Sequence, residues 1–88
     1  AERAVEIDPR FPQAWYNRGF FLLERGLAED AVEAFDNALR LDFRNAEILE
    51  EKARALEEAG EDERAEEVAE QAQELREAAE QELIDQRE

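Results

Sequence analysis

The chain repeats itself. Displaced by about 34 residues, a period typical of helical repeats, its landmarks coincide: Leu22 falls on Leu56, Gly26 on Gly60, Ala31 on Ala65 and Ala38 on Ala72. Displaced the other way, Ala38 falls on Ala4, Leu41 on Ile7, and Asp42-Phe43 on Asp8-Pro9. The stretch from Pro12 to Asn45 is the copy to which both flanks conform. Units of this kind contact only their neighbours, so a few helix–helix contacts must hold the fold together.

Local signals place the helices. Ala1–Ile7 reads as the last two turns of a helix that Asp8-Pro9 ends, because proline disfavours helical geometry in the residue before it. Pro12 suits a first helical position, where its missing N–H costs nothing, and a helix is expected over 13–25. It is apolar on more than one face: Trp15, Gly19, Phe21 and Leu22 at core-like spacing, with Tyr16, Phe20 and Leu23 beside them. A surface helix normally carries one apolar stripe. Packing on both sides explains Phe21 and Leu23 best, whereas Tyr16 and Phe20 fit a binding face better. An interior glycine costs about 1 kcal/mol against alanine, so Gly19 implies a close helix approach, and Gly26 is expected to stop the helix in a left-handed conformation.

A second helix, 28–41, spaces Ala31, Ala34, Phe35, Ala38, Leu39 and Leu41 by threes and fours, with the Phe35 ring as plug. Asn45 is placed to cap a third, 46–59, whose single stripe is Leu49, Ala53 and Leu56. There Glu50, Arg54 and Glu58 are spaced for ion pairs one turn apart. Gly60 repeats the Gly26 stop. The last helix starts near Asp62 and runs toward the C-terminus, with Ala65, Val68, Ala69, Ala72, Leu75, Ala79 and Leu83 along one side. The chain begins on Ala1 inside a helix, and a piece of a longer protein is expected.

Composition removes whole classes of chemistry. The 88 residues contain no His, Cys, Met, Ser or Thr. Disulfides, thiolate nucleophiles, the usual Ser and Thr hydroxyl nucleophiles, sulfur ligands and the commonest neutral-pH base are therefore absent. Carboxylates, Tyr16, Lys52 and arginines remain. Di-metal helical sites need Glu-x-x-His pairs, calcium loops need a D-x-D/N-x-D/N-G run, and neither occurs. No enzyme, cofactor or metal is expected. The net charge of −15 is uneven, −3 over residues 1–45 and −12 over 46–88. Such a field repels phosphate backbones and anionic lipid, so neither nucleic acid nor membrane is an expected partner. With no apolar run near the ~20 residues of a membrane span and no leader-like N-terminus, a cytoplasmic setting is expected.

Trp15, Gly19, Leu22, Gly26, Ala31, Phe35 and Ala38 resemble the signature of a tetratricopeptide repeat, a helix–turn–helix unit. Trp15 and Gly19 match its Trp and Gly, and Ala31-x3-Phe35 its second-helix Ala and Phe. Arg18 stands where the pattern has Leu, Leu22 where it has Tyr, and Phe43 where it has the closing Pro. In the next copy Leu49, Ala53, Ala69 and Glu77 replace Trp, Gly, Phe and Pro. The resemblance implies an all-α fold, antiparallel helix pairs stacked as a short right-handed α-solenoid with a long C-terminal capping helix. Residues 1–11 would be the tail of a preceding repeat, 12–45 a complete repeat, 46–79 a degenerate one and 80–88 a helix extension.

It also implies protein recognition, since first helices in this family line a concave groove. Those positions are Gln13, Tyr16, Asn17, Phe20, Leu23 and Glu24, then Glu47, Glu50, Glu51, Arg54 and Glu57. Asn17 matches one position of the repeats that clamp the C-terminal carboxylates of heat-shock chaperones, but Glu47, Glu50 and Glu51 would repel such a ligand. The expected partner is a protein or peptide, basic with an apolar anchor for Tyr16 and Phe20. The alternative is a structural unit that forms a homodimer through exposed terminal-repeat surfaces.

Overall fold

The computed structural model describes residues 10–86; the expected helix tail at Ala1–Ile7 and its Asp8-Pro9 stop lie outside them. Four helices follow in order: α1 (Pro12–Glu24), α2 (Ala28–Leu41), α3 (Ala46–Glu58) and α4 (Asp62–Gln86). Among the described residues there is no strand. Each boundary lies within a residue of the one read from sequence.

The helix ends have local causes. Phe11 is extended (φ −111°, ψ 120°) and Pro12 takes the first helical position after it. At the end of α1, Gly26 adopts φ +81°, with the Gly26 N–H donating to Leu23 O and Leu27 N–H to Leu22 O at 3.0 and 2.9 Å. This is a Schellman ending, which uses carbonyls the helix leaves unpaired. It recurs one period later. Gly60 has φ +85°, Gly60 N–H donates to Glu57 O and Glu61 N–H to Leu56 O, at the same two distances. No glycine separates α2 from α3. Instead Asn45 Oδ1 accepts from the Ile48 N–H at 3.2 Å, and Asn45 Nδ2 donates to Asp42 Oδ2 at 3.0 Å. The cap both starts α3 and ties down the turn before it.

Helix α1 packs on α2, α3 on α4, and α2 joins the two pairs, while α1 touches α3 only lightly. Phe35 and Leu56 are the two largest fully buried side chains. Gly19 owes its identity to the first: a Cβ there would lie 2.6 Å from the Phe35 ring. Ala31, Ala34 and Ala38 fill the rest of the α1–α2 contact, and Ala53, Ala55, Ala65, Val68 and Ala72 line the seams of α3. Between the pairs, Lys52 Nζ reaches Asp36 Oδ1 at 2.7 Å.

Some expected core residues lie elsewhere. Leu23 is buried, but Phe21 is 45% exposed, with the Arg25 guanidinium 4.8 Å from its ring centroid. Leu41 is exposed too, as the last residue of α2. On α4, Ala69 and Ala79 are exposed while Leu75 is half-buried. Helix α4 has 25 residues against 13 in α3, so its final turns project beyond their partner. Leu83 and Ile84 are 63% and 57% exposed there.

Candidate interaction groove

Helices α1 and α3 lie side by side and run in the same sense. Their first turns meet at a cavity of about 280 Å³ lined by Phe11, Gln13, Tyr16, Asp42, Glu47 and Ile48. The turns after them meet at a second hollow that holds Gly26, Asp30, Glu58 and Ala59. The face between these ends carries the residues named from sequence.

On the α1 side, Tyr16 and Phe20 are half-buried and meet edge to face, centroids 5.9 Å apart. The Tyr16 ring also rests on Phe35 at 5.8 Å, so the core plug props up the surface aromatic. Gln13 Nε2 donates to Asn17 Oδ1 at 3.1 Å one turn along, and Glu24 is exposed near the far end. Leu23 is 6% exposed and has little surface to offer a ligand.

On the α3 side, Glu47, Glu50, Arg54 and Glu57 are exposed and Glu51 is half-buried. Glu50 does not pair with Arg54. It receives a bidentate pair from α4, Arg76 Nε to Oε2 at 2.6 Å and Nη2 to Oε1 at 2.9 Å. These hydrogen bonds hold the Glu50 carboxyl below its ordinary value. Arg54 sits between Glu51 (3.7 Å) and Glu58 (3.9 Å). Glu51 Oε1 is shielded from solvent yet takes no hydrogen bond, the Arg54 contact being too long for one. A shielded carboxylate oxygen without a donor is uncommon in folded proteins.

The Tyr16 phenol is pushed above its ordinary value, first by burial and then by the charges of Glu51, Glu47 and Glu50. An anion at that spot is therefore opposed by three carboxylates, and a cation is favoured. The structure thus places Tyr16, which abuts Phe20, within the field of Glu47, Glu50 and Glu51, while it buries Leu23 and engages Glu50 with Arg76. Phe11, Asp42 and Asn45 lie outside the helices whose spacing gave the groove positions. Their role as the wall of the groove's lip follows from the first turns of α1 and α3 being adjacent, which the 34-residue period implies for equivalent helix starts.

Among the described residues no helix is long and apolar enough to cross a membrane, and no group of acids is arranged to hold a metal ion. Comparison with curated proteins finds no matching relative. Family models described as tetratricopeptide repeat match residues 1–33 and 46–78. With the repeated glycine-stopped helix pairs and the Gly19–Phe35 contact, these two matches establish that the chain belongs to the tetratricopeptide repeat family.

Proposed function

We propose that this chain is a non-catalytic recognition module that holds an extended peptide or a partner helix along the α1–α3 face. Tetratricopeptide repeats generally mediate protein–protein interaction. The observation that carries the specific reading is the position of Tyr16, which abuts Phe20 on one side and feels Glu51, Glu47 and Glu50 on the other. Its complement is a segment with one apolar anchor for the two rings and basic side chains toward α3. Since Glu50 is held by Arg76, those basic groups would address Glu47, Glu51 and Glu57. Such charges steer association and set register more than they add affinity. Without His, Cys, Ser or Thr the face lacks the commonest general base and nucleophiles, which favours binding over catalysis.

The test is titration of basic, leucine-anchored peptides into the wild type and a Glu47→Lys, Glu51→Lys variant, followed by calorimetry. Binding that the variant loses supports the groove; binding that charge reversal leaves unchanged refutes it. Self-association is a second reading, favoured by exposed Leu83 and Ile84 on the projecting end of α4. Sedimentation equilibrium at micromolar concentration decides it: a strict monomer removes the homodimer.

A further inference from the structure

The first turns of α1 and α3 frame a cavity at the lip of the proposed groove. Its volume, about 280 Å³, falls just below the roughly 300 Å³ at which small-molecule sites begin. It suits a single long side chain. The Phe11 and Tyr16 rings and Ile48 give it apolar walls, while the Asp42 and Glu47 carboxylates stand at its polar side. Helix starts ordinarily favour anions. Here Pro12 removes one N–H donor from α1, and Asn45 Oδ1 already takes the Ile48 N–H of α3.

Two further observations give the sign of the guest's charge. Glu47 makes no ion pair or hydrogen bond through its side chain among the described residues. Tyr16, a wall of the cavity, feels the negative charges of Glu51 and Glu47 ahead of any other.

We propose that this cavity receives an arginine side chain of the bound partner, its guanidinium against the Phe11 and Tyr16 rings and hydrogen-bonded to Glu47. Arginine fits better than lysine because its planar fork stacks on rings while donating to carboxylates at its edge. The inference rests on the groove reading and fixes what the groove selects at one end. It makes the lip, rather than the Glu50 region, the point where a basic ligand is recognised.

Two probes separate this inference from the groove itself. The first is N-acetyl-arginine amide, titrated by NMR beside its neutral isostere N-acetyl-citrulline amide. Arginine amide should shift the signals of Phe11, Tyr16 and Glu47, with citrulline at least about tenfold weaker, as loss of charge-assisted bonds implies. Glu47→Gln, on an exposed position, should bring the two compounds level. The second probe is a leucine-anchored peptide carrying arginine, compared with the same peptide lacking the leucine. If the peptide binds through its leucine but arginine and citrulline versions bind equally, the cavity proposal is wrong and the groove stands. If arginine amide binds at the lip but peptides gain nothing from the leucine, the groove reading fails instead. Equal response to arginine and citrulline amides in the wild type overturns the proposal.

Discussion

The two helix pairs solve one packing problem differently. In α1–α2, a glycine lies under a phenylalanine: Gly19 leaves room for the buried Phe35 ring, which a Cβ would meet at 2.6 Å. One period later the same two positions are Ala53 and Ala69, and Ala69 is exposed. With no ring to admit, the glycine has become unnecessary, and the better helix former stands in its place. Leu56 takes over as the large buried residue, supported by Ala55, Ala65, Val68 and Ala72. The second pair also adds a charged strap between its helices, Glu50 with Arg76. The second pair thus has no aromatic plug and more polar support, and the ring contacts of Tyr16 fall on the first.

Substitutions at matched positions can break this contrast. Phe35→Ala should have the largest effect, about 3–5 kcal/mol in chemical denaturation, and should also weaken peptide binding, because Tyr16 rests on that ring. Next is Gly19→Ala, which gains helix propensity but forces a Cβ onto a ring with nowhere to go, a net loss of about 1–2 kcal/mol. In a Phe35→Leu background the same change should cost far less, and that coupling is the cleaner readout. The reciprocal Ala53→Gly should cost only the propensity difference of about 1 kcal/mol. Gly26→Ala and Gly60→Ala should resemble each other, about 1–2 kcal/mol each, since both positions sit near φ +80°.

The smallest effect belongs to the strap. Arg76 lowers the Glu50 pKa in the folded state, so the pair contributes stability above the ordinary carboxylate range and loses it as pH falls through the depressed folded value. Wild type and Arg76→Ala should differ slightly near neutral pH. They should converge in acid and in high salt.

Much of the architecture was legible because its causes are local. The 34-residue period, the two glycine stops and Asn45 fix where helices begin and end, and each acts within a few residues of chain. Gly19 signalled its contact because a glycine inside a helix weakens it unless a close neighbour leaves no room for a Cβ. Partner choice across helices was less legible. Spacing suggested Arg54 for Glu50, but Arg76, 26 residues away, reaches both carboxylate oxygens because α4 crosses α3 there. Phe21 looked like core by spacing yet shares its surface with Arg25, and Leu23 beside it turns inward. Among the candidate groove residues, helix position separated an aromatic set on α1 from an acidic set on α3. The lip was hidden in the sequence because turn residues, which follow no helical spacing, form part of its wall.

Tyr16 is the only tyrosine in the chain, so its ionisation can be followed by absorbance without ambiguity. That titration is the most direct test that α1 and α3 present one surface. A phenol that ionises above its ordinary value, and moves back toward it in Glu51→Gln and Glu47→Gln, means that the rings and the carboxylates share a field. An ordinary value, indifferent to both substitutions, would mean that the aromatic and acidic sides are separate surfaces and that no single ligand need bridge them.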